Sequence, residues 1–187
     1  MNERIGTNGF AVVDCETTGL SASSDRMVEI AVILVDADGV PEGEWTHLIN
    51  PGRPVDATFI HGLTDDDVAL APPFSALLSQ VVDRLHGRAV VAHNARFDVA
   101  FLNAAFGRAH YPFDIPADAC VCTMELSKIY LPPGRHSLVE ATRRAGIPLH
   151  HHHRALDDAW ACAHLLRHYL QAEASGTRYA ESALTRE

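Results

Sequence analysis

No apolar run in this chain of 187 residues reaches the ~20 residues that cross a bilayer as a helix, so nothing in it reads as a membrane span. Cysteine is sparse. The four at positions 15, 120, 122 and 162 form no CxxC pair and no framework spacing, which excludes a disulfide scaffold and leaves reduced, mostly buried thiols as the expectation. Lysine is nearly missing: fourteen of the fifteen basic residues are arginine, a bias to which we attach no function. Positive charge is short altogether, and at a net −9 the chain lacks the broad basic surface that a phosphate backbone binds. The first residues lack the basic-then-apolar layout of a secretory signal, so the expected compartment is the cytoplasm. Internal repeats and linkers are missing too, and the expectation is one domain with a substantial core. What remains, 47% hydrophobic and 7% aromatic residues, is the composition of a soluble globular protein.

The charge is spread unevenly. Residues 131–170 hold five arginines (135, 143, 144, 154, 167), three acids (140, 157, 158) and seven of the twelve histidines, so this segment nets +2 and the remainder −11. If a nucleic acid binds, the segment forms one wall of its groove; an arginine-rich, solvated helix pair accounts for the same charge.

Residues 10–13 are an unbroken apolar run, the pattern of a central strand covered on both faces. Asp14 and Glu16 follow at i and i+2, and alternation along a strand points them to one side. Two anions that close repel and resist desolvation, so the end of this strand calls for a cation, and a hard divalent metal suits oxygen ligands. Strands are further expected at 27–35, 45–50, 89–92 and 120–123, with a hairpin turn at Asp38-Gly39. Thr64 caps a short acidic helix. Helices then follow from Pro73 to Gly87, from Asn94 as cap to about 106, over 124–130, from a Ser137–Glu140 capping box to Gly146, and from 154 to 173. Three strands joined by short turns, then helix alternating with strand, imply an α/β fold: a mixed sheet with helices on both faces.

Two further acids share the environment of the first pair. Asp98 lies one turn into a helix that leaves a buried strand, with Phe101 and Leu102 at i+3 and i+4, which turns it inward. An acid serving the helix dipole would also stand there. Of the adjacent Asp157 and Asp158, Asp158 shares its stripe with Cys162, Leu165 and Tyr169, the more apolar one, and is the inward member. His153 precedes that helix, close enough to join the site, while His150, His151 and His152 read as an adventitious metal-binding run.

The segments DCETTGL at 14–20, HNARFD at 93–98 and HRALDD at 153–158 resemble the three motifs of the DEDDh family of 3′–5′ exonucleases, and HGLT at 61–64 resembles a substrate-side motif of that family. Within it the chain is similar to the epsilon proofreading subunit of bacterial DNA polymerase III and its stand-alone homologues. The resemblance covers roughly residues 9–172 and implies an RNase H-like fold, a five-stranded mixed sheet flanked by helices, in an exonuclease domain at 9–173 with loose termini at 1–8 and 174–187. It also implies that Asp14, Glu16, Asp98 and Asp158 hold two ions, Mg2+ or Mn2+, and that His153 is the general base. The expected product is a nucleoside 5′-monophosphate from the 3′ end of single-stranded or frayed nucleic acid, DNA before RNA. For the terminal nucleotide, Thr17 and Thr18 are expected as donors near the 3′-OH. Leu20, His61 and Phe97 are expected to pack on the last bases, with Asn94 a further contact; core packing accounts equally for Leu20 and Phe97. A DNA polymerase subunit is the candidate partner, and a homodimer stays open.

Rival readings fit less well. A metal-dependent phosphatase would not require this motif order. A catalytically silent nucleic-acid-binding module of the same fold would lack an acid, and none is lacking here.

Overall fold

Five strands make one sheet: β1 (Phe10–Thr17), β2 (Met27–Val35), β3 (Pro41–Leu48), β4 (Ala89–Ala92) and β5 (Cys120–Cys122), in the order β3-β2-β1-β4-β5. The computed structural model describes residues 8–116, 119–149 and 152–183. β1, β2 and β3 run antiparallel in sequence, whereas β4 and β5 join parallel to β1 through helical crossovers. Among the described residues the helices are α1 (Thr58–His61), α2 (Asp65–Val68), α3 (Phe74–Leu85), α4 (Ala95–Arg108), α5 (Thr123–Tyr130), α6 (Leu138–Ala145) and α7 (Ala155–Ala174). The mixed sheet flanked by helices is the architecture expected.

Strand parity sorts the sheet into two cores. Ala11, Val13 and Cys15 of β1 join Ile30, Val32 and Val90 against Leu77, Val81 and Leu85 of α3 and Phe101, Leu102 and Phe106 of α4. Val12 of β1 faces the opposite way, with Ala31, Ile33, Val35 and Val91, against Ala155, Ala159, Cys162, Ala163 and Leu166 of α7. Continuing that alternation sends Asp14 and Glu16 to the α7 face. Small residues at 155, 159 and 163 recur every fourth position, so one flank of α7 lies close on the sheet. Its other flank, Ala161, Leu165 and Tyr169, packs on Leu131, Leu138 and Ala141 around α5 and α6. Gly39 shows how tight the seam is. Its φ is +77°, and a Cβ there would lie 3.0 Å from the Arg167 Cα of α7.

Several local expectations change. β3 starts at Pro41 rather than 45, because Asp36 folds the hairpin early: its carboxylate accepts the N–H groups of Asp38 (3.0 Å) and Val40 (2.8 Å), and pairing resumes with Val35 opposite Pro41. The Thr64 cap forms a full capping box with Asp67, but the Ser137–Glu140 box does not form. Glu140 is instead spent on Arg143, 3.0 Å away. Asn94 occupies the N-cap position of α4 in the left-handed region (φ 68°), so its side chain makes no cap hydrogen bond. α7 extends to Ala174, and the segment beyond it, expected to be loose, is tied down as far as Tyr179, whose N–H donates to the Ile129 carbonyl at 2.7 Å. Positions 1–7 and 184–187 lie outside the described residues.

Ala159 is fully buried between α7 and the sheet. Ala159→Leu adds volume where neither side yields, so it should cost about 1–3 kcal/mol of unfolding free energy in a urea titration.

Candidate active site

Asp14 and Glu16 leave β1 on the α7 face, and Asp158 enters from the first turn of α7, buried at 4% exposure. One carboxylate oxygen from each lies within 4.8 Å of one from either of the others. Asp98, on the first turn of α4, is 3% exposed, and its Oδ1 accepts the Cys15 N–H at 3.1 Å. Its charge acts on Asp14 more strongly than that of any other neighbour. The four predicted acids thus meet at one end of the sheet, three in a tight set and the fourth beside it. Asp157, on the other stripe, is half-buried, so it is more exposed than Asp158. An all-oxygen donor set, closely spaced and short of counter-charge, fits hard divalent cations.

Crowding and dryness set the titration. Burial, the largest cause, and the charges of Asp158 and Glu29 push Glu16 up to about 7, with Arg154 pulling the other way. Burial, then the charges of Asp98, Asp158, Glu16 and Glu29, holds Asp14 well above the usual carboxylate range. Burial also raises Asp98 against the pull of the Cys15 N–H.

The histidines divide differently from expectation. His153 has a left-handed backbone (φ 71°) and gives its N–H, not its ring, to Asp158 Oδ2 at 3.1 Å. The ring that meets Asp158 is that of His152, whose Nδ1 lies 3.0 and 2.9 Å from the two carboxylate oxygens. His153 stacks on it with ring centroids 3.7 Å apart. His152 is therefore part of the site and not a bystander in a histidine run; its place six residues before Asp158, around a left-handed turn, left no periodicity to find it by. His150 and His151 lie outside the described residues.

Beside the acids opens a cleft of about 410 Å3 lined by Cys15 to Leu20, Ala57, Phe59 to His61 and Phe97. Leu20 is 81% exposed at its rim, which rules out core packing for it, and Phe59 and Ile60, which the sequence reading missed, are 86% and 40% exposed. Phe97 leans on Phe101, centroids 4.9 Å apart, and serves core and cleft together. His61 is buried: its Nε2 meets the Thr17 carbonyl at 3.2 Å and its Nδ1 accepts the Leu63 N–H at 3.1 Å. With both nitrogens spent, it pins α1 to the end of β1 and its ring forms part of the cleft wall. The Thr17 hydroxyl donates to the Gly19 carbonyl (2.7 Å), and the Thr18 hydroxyl accepts the Arg26 N–H (3.1 Å) with Asp25 Oδ1 3.5 Å away as its own acceptor, so both help to build the turn. Asn94 is exposed and lines a separate cavity with Arg96, Cys120 and Cys122. The arginine wall is thinner than its sequence: Arg143 pairs with Glu140, Arg154 with Glu29, and Arg144 donates to the carbonyls of Pro132 and Arg135.

The raised carboxyls fix a sign. A group that binds its proton more tightly when folded contributes stability that is complete below its ordinary pKa and lost as pH rises through its folded value, about 7 for Glu16 and about 8 for Asp98. Burial pushes His93 the other way, down to about 4, so it costs stability only below about 6.5 and leaves the range above untouched. In chelator, unfolding free energy from denaturant titrations should therefore fall between pH 6.5 and 8, by on the order of 1 kcal/mol per pH unit. Saturating Mg2+ or Mn2+ should flatten the slope, and a pH-independent stability in chelator would contradict this electrostatic picture.

The family model described as Exonuclease matches residues 11–166. Among curated relatives, the DNA polymerase III PolC-type protein of Streptococcus pneumoniae is 37% identical over 162 residues, 84% of this chain and 11% of that protein. Its counterpart in Streptococcus suis is 35% identical over 165 residues, 87% of this chain and 11% of that protein. The chain thus spans about a tenth of the length of these relatives. Exonuclease X, solved in complex with 5′ overhanging duplex DNA, superposes with a TM-score of 0.66 at 31% identity, covering 89% of this chain and 93% of that one. The zinc-bound complex of E. coli exonuclease I with single-stranded DNA superposes at 0.77 and 18% identity, covering 90% and 42%, a likeness of fold alone. A sheet in this RNase H-like order, its acids arriving from β1, α4 and α7, and relatives spanning most of it together show that the chain belongs to the DEDDh exonuclease family.

Proposed function

We propose that this protein is a divalent-metal-dependent 3′–5′ exonuclease that removes nucleoside 5′-monophosphates from the 3′ end of single-stranded or frayed DNA. The observation that carries the proposal is the convergence of Asp14, Glu16 and Asp158 oxygens within 4.8 Å at the mouth of an apolar cleft. We assign Asp14, Glu16, Asp98 and Asp158 to hold two ions, Mg2+ or Mn2+, which when bound supply the positive charge that activates water and offsets charge on the departing 3′ oxygen. The cleft takes the terminal nucleotide. Leu20, Phe59 and Ile60 offer apolar contact to a base without reading its sequence, and Phe97 backs them. DNA is the favoured substrate because the PolC-type relatives are DNA polymerases by name and exonuclease X is solved on DNA. Service as a proofreading subunit and repair as a separate nuclease use the same chemistry.

His153 is the assigned general base. It stands on the exposed lip of the site, and burial, then the neighbouring His152, holds its pKa below the usual histidine value. It is therefore neutral at pH 7 and free to accept a proton. A second assignment is favoured by one contact, the His152 ring on Asp158. His153→Ala should lower turnover roughly 10²–10⁴-fold, while His152→Ala stays within about tenfold. The reverse order, read in single-turnover kinetics, would transfer the role to His152.

The decisive experiment follows digestion of 3′-labelled and 5′-labelled single-stranded DNA and RNA with Mn2+. The 3′ label should appear at once as mononucleotide and the 5′ label in a shortening ladder, with no cleavage in excess chelator. Release of the 5′ label first, or cleavage in chelator, would sink the proposal, and RNA consumed faster than DNA would overturn the substrate class. In the same assay Asp158→Asn should abolish cleavage and weaken Mn2+ binding, whereas Asp157→Asn should be mild because a charge only half-buried and outside the acidic set contributes little. A dead Asp157→Asn beside an active Asp158→Asn would reject the assigned ligand.

A further inference from the structure

Glu29 is a fifth acid at this end of the sheet, and no metal-ligand or base role falls to it. It is 3% exposed on β2, directly opposite Glu16 in the antiparallel register, on the face that α7 covers. A buried carboxylate beside other acids is costly, and its charge adds to the strain on Asp14 and Glu16. Its oxygens, however, are taken. Oε1 accepts from Arg154 Nη2 at 2.8 Å; Oε2 accepts from Arg154 Nε at 3.3 Å and from the Ala155 N–H at 3.0 Å. Three of about four acceptor positions are filled, which leaves Glu29 poorly placed as a further metal ligand.

These contacts converge on the start of α7. Arg154 is the N-cap residue, and its side chain makes no cap hydrogen bond. The first helical N–H, on Ala155, finds its acceptor on a different strand, in Glu29. The next link is the helix bond from the Asp158 N–H to the Arg154 carbonyl, 3.0 Å. Arg154 is thus gripped through its guanidinium by Glu29 while its carbonyl carries Asp158, and His153 precedes it directly in the chain.

We propose that Glu29 and Arg154 are a positioning pair: the two-point grip of the Glu29 carboxylate on Arg154 and on the Ala155 N–H seats the N-terminus of α7 against β1 and β2, and so sets Asp158 and His153 relative to Glu16. The inference rests on the nuclease reading above for what those residues do, but its geometry does not. Partners that orient metal-holding residues from behind typically carry 10–100-fold in metal affinity or activity.

The test uses the full chain with Glu29→Gln, Arg154→Lys, Arg154→Met and the double variant Glu29→Gln/Arg154→Met. Two readouts are taken at a temperature where circular dichroism finds each variant folded: Mn2+ affinity by isothermal titration, and kcat and KM on 3′-labelled DNA. Glu29→Gln should weaken Mn2+ binding about 10–100-fold and lower kcat while leaving KM within about threefold. Arg154→Lys should recover part of the loss seen in Arg154→Met, and the double variant should cost no more than the worse single one, since the pair acts as a unit. A folded Glu29→Gln with unchanged Mn2+ affinity and kcat overturns the proposal, even if its melting temperature drops, because that is the signature of a purely structural ion pair. Should Glu29→Gln fail to fold, Arg154→Lys against Arg154→Met decides by the same readouts. Wild-type protein that binds Mn2+ yet cleaves nothing refutes the nuclease reading, whereas weaker Mn2+ binding in Glu29→Gln would still uphold the positioning role.

Discussion

Negative charge held in a dry place is the constraint on which this structure turns. Asp14, Glu16, Asp98 and Asp158 occupy one end of a sheet whose neighbouring residues are almost wholly apolar, and each raises the cost of ionising another. Ionised carboxylates in such a setting need opposite charge, and the protein supplies little: Arg154, whose charge favours ionised Glu16, is already bound to Glu29. The folded state therefore holds an electrostatic deficit that the rest of the fold must outweigh, and a divalent ligand is what would cancel it.

The apolar architecture meets that cost by parity and small side chains. Because β1 alternates, Val12 can anchor the α7 core while Asp14 and Glu16, two and four residues on, emerge on the same face. The alanine flank of α7 brings Asp158 near them; bulkier residues at 155, 159 or 163 would move the helix outward and open the set. The same alternation puts Glu29 behind Glu16, where it can reach the helix start. One periodicity thus builds the core, the acidic set and its support.

How far the sequence revealed this depends on the range of the interactions involved. The inward turn of Asp98 and the choice of Asp158 over Asp157 were readable because apolar neighbours three and four residues away mark a helix face, a local property. The mixed sheet was readable from strand lengths and turns. Glu29 was not, because a lone acid in an apolar strand shows that it is buried and says nothing of a partner 125 residues away. His152 was hidden by a left-handed turn that no propensity predicts at histidine. The Ser137 box looked right locally but lost Glu140 to an arginine one turn on. Thr17, Thr18 and His61 were readable as cleft residues but their local bonds were not, since a sequence shows which polar groups are present but not which are already satisfied.

The exonuclease reading proposed above sets an acidic protein on a polyanion, and the satisfied arginines sharpen the question this raises. Three of the five arginines on 131–170 already have partners, Arg143 in Glu140, Arg154 in Glu29 and Arg144 in the carbonyls of Pro132 and Arg135, so a phosphate-tracking groove of the usual kind is weakly furnished. What remains for a strand end is an apolar cleft with an exposed rim of Leu20, Phe59 and Ile60, next to a site whose own anions call for cations. On that reading, recognition built this way would attach to the last base and to its phosphate at the acids rather than to a long stretch of backbone. Under the exonuclease reading proposed above, such a site would suit action on chain ends: grip concentrated where the bond is cut would leave little to hold the interior of a strand, and the net charge of −9 would disfavour a long contact with a polyanion.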